Sequence, residues 1–206
     1  MDINLLLLFI PTFFVVSITP GMCMTLAMTL GMTIGIRRSL WMMIGELIGL
    51  GLVAVSALIG VATLLLARPG LFLILKYAGG AYLLYLGIQM WRSRGKMAIP
   101  STATTHNDIK RSALMFQGFI TAVGNPKAWV FMISLLPPFI NPDLALLPQA
   151  AQLITIMLFF EFISLLLYAT GGKTLKHILQ QQSSVKLLNR VAGTMMIFVA
   201  IWLVLS

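Results

Sequence analysis

The sequence predicts an all-α membrane protein with six transmembrane helices, arranged as two inverted three-helix repeats. Composition gives the first reason: 59% of the residues are hydrophobic and 9% are charged, which leaves too little polar surface to cover a soluble core. Charge gives the second, because most of the 14 lysines and arginines occupy alternate connections between apolar runs. Loops rich in lysine and arginine stay in the cytoplasm, so this alternation indicates a chain that crosses the membrane repeatedly.

Six apolar segments are long enough to cross a bilayer, since a helix needs about 20 residues to span a hydrocarbon core about 30 Å thick. They cover residues 4–30, 40–66, 70–91, 113–138, 148–171 and 187–205. A polar stretch rich in serine and threonine separates the third segment from the fourth. We therefore expect a first three-helix repeat over residues 1–91, a cytoplasmic linker over 92–112 and a second repeat over 113–206.

The basic connections also orient the helices. They contain Arg37 and Arg38, then Arg92, Arg94, Lys96, Lys110 and Arg111, then Lys173, Lys176, Lys186 and Arg190. If all three connections lie in the cytoplasm, both termini lie outside. The first segment has no basic region before it and is longer than a signal-peptide core, so we expect it to be retained as a helix.

The two halves share three weakly similar features in the same order. Residues 17–21 and 124–127 each place a proline inside an apolar segment. The second and fifth segments each carry one glutamate, and residues 76–80 of the third segment resemble residues 190–194 of the sixth. With an odd number of helices in each half, such similarity predicts an inverted repeat.

The proline interruptions indicate a binding site. Proline removes a backbone N–H and clashes with the carbonyl four residues earlier, so it frees polar groups that lipid cannot satisfy. The half-helix that follows presents its N–H groups and positive dipole to an anionic group of a substrate. We therefore expect substrate contacts at Thr19, Pro20 and Gly21, and at Asn125 and Pro126. A plain proline kink in a packed helix is the alternative.

Charged residues inside the apolar segments are the other candidates, because each costs about 2.5–3.5 kcal/mol to insert. Glu46 lies about two turns from the inner end of its segment, a position from which it could reach water. Lys127 and Glu161 lie deeper, so we expect both to face the bundle interior and to neutralise one another or a charged ligand. We predict that these three residues bind substrate or protons, with a purely structural ion pair between Lys127 and Glu161 as the alternative.

Several other functions are disfavoured. The formal net charge of +9 is divided among short connections, which argues against a nucleic-acid partner. Cys23 is the single cysteine, so no disulfide or metal–cysteine cluster is expected, and we interpret it as a small packing residue. No segment carries a His-Glu-x-x-His pair or a Gly-x-Ser-x-Gly elbow, so no enzyme, metal site or cofactor is predicted. An intramembrane enzyme and a non-transporting membrane scaffold remain the alternatives to a transporter.

Taken together, these features resemble the lysine-exporter superfamily of bacterial amino-acid efflux proteins, and within it the homoserine and threonine exporter branch. The resemblance covers nearly the whole chain and rests on residues 17–21, the glycine-rich residues 45–51, the stretch 75–87 and the break at residues 125–127. One departure is Met22, where the family commonly has a second proline.

The resemblance implies a secondary transporter of the bacterial inner membrane. Such a protein exports small neutral or basic amino acids or their derivatives, homoserine and threonine among them, by antiport with protons. The implied partners are the amino acid, protons and the lipid bilayer. A monomer and a homodimer remain open, and so does the choice between Glu46 and Glu161 as the proton carrier.

Overall fold

The computed structural model describes residues 3–67, 69–92, 109–136, 139–141, 144–180 and 182–205. This part of the chain forms eight α-helices, which confirms the all-α prediction. They are α1 (Ile3–Ile18), α2 (Met22–Thr33), α3 (Ile36–Ala67), α4 (Pro69–Arg92), α5 (Arg111–Val123), α6 (Pro126–Leu135), α7 (Leu146–Gln180) and α8 (Gln182–Leu205). Most of the predicted linker of residues 92–112 lies outside the described residues.

Both proline-containing segments are interrupted in the structure. In the first, α1 ends at Ile18 and α2 begins at Met22, and the two axes differ by 56°. In the second, α5 ends at Val123 and Pro126 is the first residue of α6, where its missing N–H removes no helical hydrogen bond. The predicted interruptions are therefore true breaks between half-helices.

Several of these helices suit a membrane. Within the described residues, three are long and apolar enough to cross one, over Ile36–Gly60, Leu146–Gly172 and Ser183–Trp202, and the bent pair α1–α2 makes up to four. Helices α5 and α6 have 13 and 10 residues, so each alone is too short to span. The chain is thus a multi-pass membrane protein, and the count of six spans stays a prediction.

Glycines let three pairs of helices pack backbone against backbone. A Cβ atom on Gly45 of α3 would overlap the backbone carbonyl of Met115 on α5, and one on Gly118 of α5 would overlap that of Met42. A Cβ on Gly31 of α2 would overlap the carbonyl of Ala169 on α7. Small residues permit this close approach, and we call the contacts the glycine seams.

The third glycine seam joins α4 to α8. A Cβ atom on Gly87 would lie 2.9 Å from the backbone carbonyl oxygen of Gly193, closer than side chains tolerate. The three seams therefore fix the pairs α3–α5, α2–α7 and α4–α8.

The buried apolar side chains form two clusters. The first, which we call the α1–α6 cluster after two of the helices that contribute to it, contains residues such as Phe9, Phe13, Leu50, Phe131 and Met157. The second, which we call the α2–α5 cluster in the same way, contains residues such as Met24, Met28, Met43, Leu114 and Leu165. On α3, Glu46 falls between Met43 of one cluster and Leu50 of the other.

Helix α7 repeats this arrangement. Its Met157 belongs to the α1–α6 cluster and its Leu165 to the α2–α5 cluster, and Glu161 lies between them. The two glutamates therefore occupy one polar layer with an apolar cluster on either side.

Candidate functional site

A narrow cavity of about 50 Å³ lies in this polar layer, with room for a few water molecules. Both breaks and both long helices contribute to it. Its polar lining consists of Ser17, Thr19, Gly21, Cys23, Glu46, Asn125, Lys127 and Glu161, and its apolar lining of Phe13, Val16, Met24, Leu50, Ala122, Ala128, Phe131 and Met132.

The N-terminus of α2 forms one wall of the narrow cavity. Gly21 precedes the helix in an extended conformation, with φ −150° and ψ −171°, and no side chain caps the first turn. The ammonium of Lys127 lies beside it, since a Cβ atom on Gly21 would be 4.0 Å from Lys127 Nζ. An uncapped helix N-terminus and an ammonium at the same place form a site for an anionic group.

At the second break, the N-terminus of α6 is capped by the residue that precedes it. The side chain of Asn125 accepts a hydrogen bond of 3.1 Å from the backbone N–H of Lys127, as an N-cap residue does. Its amide also lies 3.9 Å from the sulfur of Cys23. The two half-helix ends therefore differ: that of α2 is open toward the cavity, and that of α6 is partly satisfied.

Glu161 is buried and already has protein partners. The hydroxyl of Ser17, in the last turn of α1, donates a hydrogen bond to its carboxylate. Ser17 Oγ also lies 3.2 Å from the hydroxyl of Ser164 on α7. Within the described residues no direct ion pair joins Glu161 to Lys127, and their charges attract at longer range. Both residues do line one cavity, and since they attract each other without direct contact, a charged ligand stays the other predicted partner.

Glu46 is the unsatisfied group of the site. Its side chain is 1% exposed, so it does not reach water outside the protein, contrary to the prediction, although it lines the narrow cavity. The Cys23 thiol and the Glu161 carboxyl are its polar neighbours. Among the described residues, Glu46 Oε2 is the buried side-chain oxygen left without a hydrogen-bond partner. Such an atom is costly, which indicates that something other than the protein satisfies it.

A second, wider cavity of about 340 Å³ lies where α4 and α8 meet the two breaks. Its lining consists of Thr19, Pro20, Leu86, Gln89, Met90, Lys127, Asn189 and Met196. Thr19 and Lys127 line both cavities. The hydroxyl of Thr19 donates a hydrogen bond of 2.6 Å to the backbone carbonyl of Val15. Lys127 is the charged residue that lines both cavities.

The structure brings most of the predicted site residues together. Six of them line the narrow cavity: Thr19, Gly21, Glu46, Asn125, Lys127 and Glu161. Pro20 lines the wider cavity instead, and Pro126 is exposed and lines neither. Both prolines lie at the breaks between half-helices.

Two polar residues of the site were missed in the sequence. Ser17 belongs to the first break and could have been chosen as a hydroxyl in a half-helix end facing a buried glutamate. Cys23 was interpreted as a packing residue, and no sequence signal distinguishes it from one. Its place beside Glu46 and Asn125 depends on contacts between helices.

Interrupted membrane helices that meet around buried charges and a cavity define a protein of the transporter class. The chain belongs to the LysE type translocator family, whose family model matches residues 14–206. A translocator moves a solute, so the chain is a transporter and not an enzyme.

Individual relatives agree with this family. An "Uncharacterized membrane protein" of Vibrio cholerae is 30% identical over 95% of this chain and 94% of its own. A homoserine/homoserine lactone efflux protein of Salmonella typhi is 32% identical over 73% of this chain and 72% of its own. A leucine efflux protein of Salmonella choleraesuis is 34% identical over 47% of this chain and 45% of its own. No solved structure matches the chain.

Proposed function

We propose that the protein is a secondary transporter that exports small amino acids from the cytoplasm of a bacterium in exchange for protons. It crosses the inner membrane as two inverted three-helix repeats, with both termini outside, and it opens alternately to either side around the breaks at Pro20 and Pro126. The family and the names of two relatives support amino-acid efflux. The alternation of basic connections supports the orientation.

The observation that carries the proposal is that two groups of opposite charge line the same narrow cavity. Glu46 Oε2 is buried without a partner, and the Lys127 ammonium lies at the uncapped N-terminus of α2. The ammonium group of an amino acid satisfies Glu46, and its carboxylate binds between Lys127 and α2. A zwitterion therefore completes two sites that the protein alone leaves incomplete, in a state of the transport cycle in which the cavity is wider than its present volume of about 50 Å³.

The rest of the narrow cavity's lining decides which amino-acid side chains the substrate can carry. Glu161 already accepts a hydrogen bond from Ser17 and is attracted by Lys127, so it is a weaker partner for a basic side chain than a carboxylate without neighbours would be. The apolar residues Phe13, Leu50 and Phe131 line the rest of the narrow cavity. These walls suit small neutral amino acids, a class that includes the leucine and homoserine named for the relatives.

Proton coupling follows from the two carboxyl groups. Glu46 and Glu161 line the same narrow cavity, and two bare carboxylates close together in a buried site repel each other, so we infer that the pair holds a proton in the empty cavity. We assign this proton to Glu46, because Ser17 donates to Glu161 and occupies that carboxylate as an acceptor. The substrate ammonium displaces the proton into the cytoplasm, and a proton from outside replaces the ammonium after release.

An efflux measurement tests the proposal. Cells expressing the protein are loaded with leucine, threonine, homoserine and lysine, supplied as dipeptides where available, and release is compared with that from empty-vector cells. We expect faster release of at least one neutral amino acid, its loss on dissipation of the proton gradient, and its loss in Glu46→Gln. Release no faster than from empty-vector cells for every amino acid, or undiminished release by a well-expressed Glu46→Gln protein, would overturn the proposal.

A further inference from the structure

We propose that the wider cavity is a vestibule facing the cytoplasm, which captures the carboxylate of an amino acid before the molecule enters the narrow cavity. This inference rests on the proposed export function and extends it to a separate binding site. Its ligand class is the free carboxylate of a small amino acid.

The charge of the vestibule favours an anion. Its lining contains one charged side chain, the ammonium of Lys127, and no carboxylate. Gln89 and Asn189 add amide groups from α4 and α8, and Gln89 is exposed at the surface. Amide N–H groups and an ammonium are donors that bind a carboxylate.

The rim adds further positive charge. Arg92 is the last residue of α4, one turn beyond Gln89, and Arg190 directly follows Asn189 on α8. Both arginines are exposed. The Arg190 guanidinium lies 5.2 Å from the centre of the ring of Trp91, which directly follows Met90 of the lining, so we place this cation near the opening. Cations around an opening raise the local concentration of anionic groups.

The vestibule leads to the proposed binding site. Thr19 and Lys127 form the shared wall between the wide and the narrow cavity. A carboxylate held by Gln89 can pass to Lys127 and from there to the N-terminus of α2 while it stays next to a donor. By the predicted orientation, Arg92 and Arg190 border cytoplasmic connections, so the vestibule opens on the side from which an exporter takes its substrate.

Charge variants at Gln89 test the vestibule. Everted membrane vesicles expose the cytoplasmic face, and the initial rate of uptake of labelled leucine and of labelled homoserine is measured over a range of concentrations. We expect Gln89→Leu to raise KM about fivefold and Gln89→Glu to raise it more, whereas Gln89→Lys keeps KM at or below the wild-type value. The maximal rate stays within about twofold in all three, because the narrow cavity is unchanged.

A matched control and a competitor sharpen the test. Gln117 is an exposed glutamine on α5 that lines neither cavity, and we expect Gln117→Leu to leave KM unchanged. Homoserine lactone, which lacks the free carboxylate and appears in the name of one relative, tests the ligand class. We expect it to compete with uptake at least tenfold less well than unlabelled homoserine, and equal competition would overturn carboxylate capture. Higher ionic strength raises the wild-type KM, since it screens the rim.

The outcomes separate the two proposals. If wild-type vesicles take up neither of these two nor any other amino acid of the efflux panel, the export function fails and the vestibule fails with it. If they take up either one and the KM values of Gln89→Leu and Gln89→Glu equal that of the wild type, the vestibule alone is overturned. Equal effects of Gln89→Glu and Gln89→Lys would show a packing role instead of carboxylate capture.

Discussion

The hydroxyl of Tyr168 donates a hydrogen bond of 3.0 Å to the backbone carbonyl of Ile18, 150 residues earlier in the chain. Ile18 is the last residue of α1, and in an unbroken helix its carbonyl would accept from the N–H four residues later. The break removes that donor, and lipid offers none. Tyr168 therefore supplies from α7 the hydrogen bond that the first break loses.

The second break is completed in the same manner. The indole N–H of Trp129 donates 2.8 Å to the carbonyl of Val123, the last residue of α5. The N–H that would have served this carbonyl belongs to Lys127 and is taken by the side chain of Asn125. Each break thus ends in a carbonyl capped by an aromatic donor, which supports the proposed relation between the two halves.

Removing the Tyr168 hydroxyl should destabilise the protein without changing its shape. We expect Tyr168→Phe to lose about 1–3 kcal/mol, because the partly buried Ile18 carbonyl loses its donor, and to lower the melting temperature by several degrees. Thermal unfolding of the purified protein in detergent measures this. Tyr77→Phe, at an exposed tyrosine of α4, is the control, and an equal shift in both variants would contradict the role of Tyr168.

The two buried glutamates should respond oppositely to amide substitution. Glu46→Gln replaces an unsatisfied carboxyl and is expected to keep or raise the melting temperature while export is lost. Glu161→Gln weakens the hydrogen bond from Ser17 and is expected to lower the melting temperature. Melting curves and efflux of both variants check this, and destabilisation by Glu46→Gln would show that its free oxygen has a partner in the folded protein.

Gly45 should not tolerate one added methyl group. A Cβ atom there meets the backbone of Met115, which cannot rotate away, so we expect Gly45→Ala to cost about 3 kcal/mol or to prevent folding. Gly60 lies on the same helix with nothing near its Cβ position, and Gly60→Ala should be neutral or stabilising by about 0.5–1 kcal/mol. Yield and melting temperature of the two variants provide the comparison, and equal behaviour would rule out the α3–α5 seam.

The predicted orientation can be tested at the linker. Thr104→Cys introduces a thiol in residues 92–112, and we expect an impermeant maleimide to label it only after the cells are permeabilised. The wild-type protein is the control, since its single thiol, Cys23, is buried. Labelling of Thr104→Cys in intact cells would show that the orientation is the reverse of the predicted one.

The two breaks could be predicted from sequence because their cause is local. A proline in an apolar helix disrupts hydrogen bonds wherever that helix packs, and both interruptions are present. The charged site residues could also be predicted, since Glu46, Lys127 and Glu161 cost free energy to bury in a membrane unless they lie near other polar groups. Their shared cavity follows from that cost.

Pairwise geometry could not be predicted. Whether Lys127 contacts Glu161 depends on how α6 and α7 are turned about their axes, and no residue pattern specifies that rotation. The partnership of Ser17 with Glu161 and that of Tyr168 with Ile18 join residues far apart in the chain. These contacts arise only after the helices have assembled.

The glycine seams bear on how such a chain is made. Each of them joins one of the helices α1–α4 to one of the helices α5–α8: α2 to α7, α3 to α5, and α4 to α8. During synthesis the earlier helices reach the bilayer first, with Gly31, Gly45 and Gly87 facing partners that the ribosome has not yet produced. Lipid must cover these surfaces until the later helices arrive and displace it. Each half therefore depends on the other for its final packing, and the protein matures as one unit.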